Sequence, residues 1–363
     1  MMPAADLDCL VIADDLTGAC DAGAPFVIRG LRTVVPVSGD AAVAGCRVMA
    51  VSTGSRDLEP AAIREAMRAV SRRVAGKSIY QTFIKIDSTL RGSPACHIAA
   101  AMEEFGCRAA VVCPAFPAMR RVVRDGLLHV IGAPEFAPVR LASRISSVHV
   151  ALGELALAIK RGARVLSLDA ECDADLDQIA AATLALKGPI LWAGSSGLAA
   201  ALARVLGAVR VPSKRPSRTG PVLFGIGSDH PVTVAQENAL VAARTVVRGA
   251  LSDADWDIPA VLARGSHALL CVDRDLGGEE LRRRIGGAAP AALMLSGGDT
   301  AALVCRALVV EAIDLSDELL PGIPLGSLRG GDFNGVPVVT KSGGFGTSHA
   351  LIRIADYFSC PNS

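Results

Sequence analysis

Two adjacent carboxylates, Asp14 and Asp15, stand between the apolar run Leu10-Val11-Ile12 and the Thr17-Gly18 pair in the stretch LVIADDLTGACD. Such a run reads as a buried strand, so both acids fall at a strand end, where the capping residues of the next helix are expected. In an open parallel sheet that edge binds ligands. One acid there would serve as a helix cap, whereas two can also accept a substrate proton or hold a metal. Asp21, a helical turn further on, brings a third carboxylate to the same place. Asp14 and Asp15 are therefore the candidate catalytic groups, and Asp15 is also a candidate substrate contact.

Two further polar clusters follow strand-like runs in the same half of the chain. STGSR, residues 52–56, places Arg56, a planar fork of donors suited to a carboxylate, just after the run ending near Val51. Alone it would read as a surface arginine on a turn. KIDSTLRG, residues 85–92, places Lys85, Asp87, Ser88, Thr89 and Arg91 between an apolar strand and a helix over Ala95 to Phe105. One hydroxyl would cap that helix, and strand ends rarely carry so many charges without a use. Together the clusters offer cations for an acid, hydroxyls for sugar hydroxyls and carboxylates for proton transfer.

The second half of the chain uses glycine with Ser or Thr instead. GIGSDH (225–230) contains Ser228, SGGDT (296–300) contains Gly297, Gly298, Asp299 and Thr300, and KSGGFG (341–346) contains Gly343 and Gly344. Each follows a strand-like run. Backbone N–H groups freed by glycine at a helix N-terminus form an anion cradle, so phosphate is the natural ligand and a nucleotide the expected cofactor. A single such loop would be a tight turn. GxxxxGK[ST], GxGxxG and the HRD and DFG set are missing, which excludes P-loop and protein-kinase sites. GSSG at 194–197 also looks like a phosphate loop, but close packing of the Ala-rich helix that follows accounts for its glycines.

A chain of 363 residues is long for one core, so two domains are expected. With 51% hydrophobic and 20% charged residues it has the composition of a soluble globular protein, and its formal net charge of +1 lacks the basic excess of a general nucleic-acid binder. No apolar run reaches the roughly 18 residues of a transmembrane helix. The start MMPAADLDC lacks the basic and apolar regions of a signal peptide, so membrane attachment is not expected and the location reads as cytoplasmic. Ten cysteines, scattered through apolar runs without CxxC or Cys/His spacing, read as buried thiols. Six dispersed histidines, none paired at i and i+4, argue against a His-based metal site, and no metal ligand is assigned.

The elements that must position these clusters alternate between apolar strand-like runs and helical patterns, the signature of a mainly parallel α/β sheet. Strands are expected at Leu7 to Ala13, Thr33 to Val37, Arg47 to Ser52, Ile79 to Ile86, Arg108 to Cys113, Arg164 to Leu168 and Pro189 to Trp192. Ile63, Met67, Val70 and Val74 recur at helical spacing, predicting an amphipathic helix over Pro60 to Ala75. Around Gly207 the stretch GAVRVPSKRPSRTGP fits neither pattern and marks a boundary: a first domain over 1–206, a linker over 207–221 and a second domain over 222–363. In the second series strands are expected at Val222 to Ile226, Thr245 to Ala250, Ala268 to Asp273, Ala291 to Leu295 and Val336 to Thr340. Helices fill Val232 to Ala243, Thr300 to Ile313 and Ser348 to Phe358. The expected fold is two α/β domains with mainly parallel sheets and a ligand cleft between them.

On the motifs ADDLTGACD (13–21), KIDSTLRG, SGGDT and KSGGFG, in that order, the chain resembles the four-carbon acid sugar kinase family, the ATP-dependent kinases of threonate, erythronate and 3-oxo-tetronate. The resemblance covers nearly the whole chain. It implies an N-terminal acid-sugar domain and a C-terminal nucleotide domain, with the acid meeting Asp14 or Asp15, Arg56 and the Lys85 to Ser88 segment. It also implies ATP at Ser228, the Gly297 to Thr300 loop and Gly344. The reaction to expect is ATP- and Mg²⁺-dependent phosphorylation of a hydroxyl of a four-carbon acid, with Arg56 and Lys85 on the carboxylate and Asp14 or Asp15 taking the proton. The partners are then a small-molecule sugar acid and ATP, without nucleic acid or membrane, and a homo-oligomer stays open. Two other classes compete. One is a non-catalytic two-domain sensor of small acids, which would gain nothing from two adjacent carboxylates. The other is a lyase or dehydratase acting on a phosphorylated acid, which would use the glycine loops without ATP.

Overall fold

The computed structural model describes residues 5–38, 45–207, 218–250, 252–253, 256–273 and 277–359. Residues 208–217, most of the expected linker, lie outside the described residues. The chain forms two compact units, one drawn from Met1–Thr33 and Gly45–Val211, the other from Val34–Ala44 and Pro212–Ser363.

Up to residue 113 the chain runs β1 (Leu7–Ala13), α1 (Leu16–Ile28), β2 (Thr33–Pro36), β3 (Val48–Ser52), α2 (Pro60–Arg73), β4 (Ile79–Lys85), α3 (Pro94–Glu104) and β5 (Ala109–Cys113). It continues with β6 (Arg121–Arg124), β7 (Leu127–Val130), β8 (Val139–Arg140), α4 (Leu141–Ile145), β9 (Val148–His149) and α5 (Leu155–Lys160). β10 (Val165–Ser167), α6 (Asp173–Leu184), β11 (Ile190–Gly194) and α7 (Ser196–Leu206) follow. In the first unit a parallel sheet has the order β3-β1-β4-β11-β5-β10-β9. Every residue of β1 is buried, which is why it reads as a continuous apolar run rather than an alternation. A small antiparallel sheet, β6-β7-β8, was not expected; its strands are too short to show a period of two. α2 buries Ile63, Met67 and Val70 and ends at Arg73, with Arg72 and Arg73 in the last turn, where cations suit the helix dipole.

The second unit runs β12 (Val222–Ile226), α8 (Pro231–Ala243), β13 (Val246–Ala250), α9 (Ile258–Ala263), β14 (His267–Cys271) and α10 (Gly278–Ile285). Then come β15 (Ala292–Ser296), α11 (Gly298–Ala307), β16 (Ala312–Leu320), β17 (Ile323–Arg329), β18 (Pro337–Lys341) and α12 (Ala350–Ser359). β13-β14-β12-β15-β18 are parallel, and β17, β16 and β2 extend the sheet antiparallel. Its core gathers Phe224, Leu240, Met294, Val339, Ile354 and Phe358.

Three expectations are corrected. The helix expected over 300–313 stops at Ala307, and Ala312 already begins β16, because Val309 adopts a left-handed φ of 57° that breaks the helix. The strand at Thr33 belongs with the second series: Val34, Val35 and Pro36 pair with Asp314, Ile313 and Ala312. Among the described cysteines Cys172 is exposed and Cys96 and Cys271 are partly so, so not all are buried thiols. No helix among the described residues is long and apolar enough to cross a membrane.

Candidate active site

In the first unit β3, β1 and β4 are neighbours, and Ala13, Ser52 and Lys85 lie in register at their C-terminal ends. That register brings the three polar clusters to one sheet edge. Arg56 closes its fork on Asp14, with Nε donating to Oδ2 at 2.9 Å and Nη2 to Oδ1 at 2.8 Å. Its third nitrogen, Nη1, lies 2.8 Å from Asp15 Oδ2. Asp15 Oδ1 accepts from Gly18 N at 2.6 Å and so caps α1 as well. Asp15 is the cap, and Asp14 is tied beside it by one guanidinium.

The KIDSTLRG turn closes on itself. Asp87 Oδ1 accepts from Thr89 N at 2.8 Å and Thr89 Oγ1 at 2.5 Å, while Oδ2 accepts from Arg91 Nε at 3.1 Å and Nη2 at 2.7 Å. Ser88 is buried in this turn. Arg144 pins it by donating to Leu90 O at 2.9 Å and Gly92 O at 3.1 Å. Gly92 has φ +72°, and a Cβ there would lie 2.9 Å from Arg56 O, so only glycine lets the turn lie against the Arg56 backbone. Lys85 Nζ donates to Ile86 O at 3.2 Å and stands 3.7 Å from Asp21 Oδ2.

Burial works on these acids in different directions. It pushes Asp15 up, with Asp14 adding to the shift and Arg56 opposing it. It pushes Asp21, 1% exposed, up to about 6 against the pull of Lys85 and Ser196. Asp87 is buried too, yet Arg91, Lys85 and Thr89 hold its carboxyl well below the usual range. The site therefore holds one acid fixed as an anion and two whose basicity is raised.

Several residues of this site carry no signal in the sequence. Arg121, buried at the start of β6, is pushed down by burial and feels Asp87 and Asp21, but it sits in an Arg-Arg pair that reads as surface. Ser55 lies 2.9 Å from His97 Nε2 and 2.6 Å from Thr53 Oγ1, and its N–H donates to Asp14 O at 2.9 Å. This buried chain fixes the loop that carries Arg56. The GSSG stretch behaves as packing requires: a Cβ at Gly194 would lie 2.5 Å from Cys113 O, and one at Gly197 2.5 Å from Ala115 O.

In the second unit β12, β15 and β18 are adjacent, so the three glycine loops follow neighbouring strand ends. They touch. A Cβ at Gly343 would lie 2.3 Å from Ser228 Oγ, one at Gly297 would lie 3.7 Å from Ser228 Cβ, and one at Gly227 would lie 2.3 Å from Thr300 Oγ1. Gly297 has φ +103° and starts α11 without a side-chain cap, so the first N–H groups of that helix are left for an anion. Asp299 is exposed in its first turn. Gly344 has no left-handed φ, contrary to the ordinary reason for a loop glycine; a Cβ there would instead lie 3.1 Å from His230 Nε2. Lys341 and His230 also belong to this cluster.

The first unit carries charged and hydroxyl side chains at its strand ends, and the second carries glycine loops at its own. Residues 9–144 and 135–202 match the sugar-binding N-terminal domain family, and residues 278–351 match the nucleotide-binding C-terminal domain family. The chain belongs to the four-carbon acid sugar kinase family. A D-threonate kinase of Bordetella bronchiseptica is 35% identical over 95% of this chain and 96% of its own. A D-threonate kinase of Cupriavidus necator is 32% identical over 94% and 96%. Relatives named D-erythronate kinase and 3-oxo-tetronate kinase are 27% and 28% identical. Among solved structures a Salmonella typhimurium protein superposes with a TM-score of 0.75 at 19% identity, covering 96% of this chain and 99% of that one, a likeness of fold.

Proposed function

We propose that this protein transfers the terminal phosphoryl group of ATP to a hydroxyl of a four-carbon sugar acid, with D-threonate the first candidate. The observation that carries the proposal is the cradle around Ser228, where three glycine loops and the uncapped start of α11 meet. A lyase for a phosphorylated acid would need a phosphate site too, but not a nucleotide-binding domain of the kind that residues 278–351 match.

In this reading Asp15 accepts the hydroxyl proton, since burial raises its basicity, and Asp14 and Arg56 hold it in place. Arg56 then acts first on the acids and only through its outer face on the substrate carboxylate. Arg91, whose side chain is 52% exposed, is the more open cation for that carboxylate. Ser88 and Thr89 would supply the hydroxyls for the sugar. Ser228, Gly297, Gly298, Thr300, Gly343 and Gly344 would hold the phosphates. Mg²⁺ would be held in the second unit by the phosphates themselves and Asp299, an exposed carboxylate at the start of α11. Its chemistry there would be to neutralise charge on the transferring group.

ADP release on adding ATP with D-threonate, its stereoisomers, erythronate or 3-oxo-tetronate tests the proposal. Turnover with one of these acids is expected. Tight binding of an acid with no ADP formed would instead favour the sensor, and release of water or a carbon fragment from a phosphorylated acid would favour the lyase.

A further inference from the structure

Lys341 is the last residue of β18 and is fully buried, 0% exposed. Its Nζ donates to Thr233 Oγ1 at 3.0 Å, Ser342 O at 3.2 Å and Gly343 O at 3.0 Å. Those acceptors match the three N–H bonds of an ammonium, and all are neutral. The carboxylate that acts on it, Glu237, lies one turn along α8 from Thr233 and is shared with Arg248 at 3.4 Å. A buried ammonium touching only neutral oxygens is costly to keep. Burial pushes its pKa down to about 7, with Glu237 opposing.

We propose that Lys341 is a positioning residue for the nucleotide, turning the two peptide units after Ser342 and Gly343 so that their N–H groups face the phosphates. In a trans peptide the N–H points opposite to the carbonyl. Holding Ser342 O and Gly343 O inward therefore aims the N–H groups of Gly343 and Gly344 outward. No described residue accepts from either of them. Thr233 reinforces the arrangement by donating to Gly343 O at 2.7 Å, and Lys341 O accepts from Gly297 N at 3.0 Å, tying in the second loop. The phosphates supply the negative charge that the buried ammonium lacks.

The inference rests on the reading of the cradle as an ATP site, so the first measurement is ADP binding to the full-length wild type by calorimetry. Absence of binding there overturns that reading and this one with it. In Lys341→Met, which keeps a stem of similar length without the donors, Kd for ADP and KM for ATP should rise about tenfold or more. KM for the acid and kcat at saturating ATP should stay within about threefold. A folded Lys341→Met with unchanged KM for ATP, or with equal rises in both KM values, would overturn the inference. If Lys341→Met fails to fold, Thr233→Val decides: a smaller rise confined to ATP supports the role, and an unchanged KM for ATP overturns it.

Discussion

Arg56 changes meaning between sequence and structure. Read alone it is a fork for a substrate carboxylate; in the structure its Nε and Nη2 are on Asp14 and its Nη1 is on Asp15. An ammonium cannot span those contacts, so Arg56→Lys should lower kcat by about tenfold or more besides raising KM for the acid. A change in KM alone would show that the acids hold their positions without it. Asp15→Asn should cost about a hundredfold in kcat, the usual scale for losing a general base. Near-normal turnover would move the base elsewhere. Asp21 has a pH signature of its own. Its folded pKa of about 6 exceeds its ordinary value near 3.8, so between pH 4 and 6 the folded state binds the extra proton. Stability from this group is therefore present at low pH and lost as pH rises through that window. The melting temperature of wild type minus that of Asp21→Asn should fall from pH 4 to pH 6, and a flat difference would mean that Asp21 ionises normally.

At the scale of elements, the strand-end clusters were legible because their composition departs from what caps and turns require. What they bond to was not. Asp15 as a cap follows from its place before α1, but nothing local says that Arg56, 41 residues on, reaches back to it, since that depends on β3 lying beside β1. The same holds for the glycine loops. Gly343 and Gly344 look equivalent in KSGGFG, yet a Cβ at Gly343 would meet Ser228 Oγ at 2.3 Å, and one at Gly344 would meet His230 Nε2 at 3.1 Å. A serine at the start of a loop yields less than the end of a histidine ring. Gly343→Val should weaken ATP binding more than Gly344→Val, each by at least about tenfold, while both leave acid binding intact. Calorimetry with each ligand separately checks this, and equal affinities for ATP in the two variants would count against the packing argument. The β16–β17 hairpin has a different reason for not showing: register shifts between Leu315 and Asp317 and between Glu318 and Leu320 break the alternation of β16, and its second half, with Asp317 and Glu318, is only partly buried on both faces.

For the whole molecule, the consequential feature is that residues 34–38 leave the first series and pair with β16 of the second. Val34 to Pro36 pair with β16, and Val37 N and Ser38 N both donate to Glu311 O, at 2.9 and 3.1 Å. In sequence this segment is an ordinary strand after α1, and no periodicity shows which strand it pairs with, because pairing partners are set by long-range packing. It also covers the edge that β16 would otherwise expose. Val35 is fully buried there, opposite Ile313. Val35→Asp would place an unpaired charge in that core and should destabilise the second unit by about 3 kcal/mol or more, although it lies within the first 40 residues of the chain. Hydrogen exchange would locate the loss: amides of β16 and β17 should lose protection while those of β1 and β4 keep it. Equal loss in β1 and β4 would mean that the two units unfold as one, and no loss in β16 would mean that the pairing contributes little. ATP binding should weaken with the loss in β16, since β17 links that strand to β18 and so to the loop of Gly343.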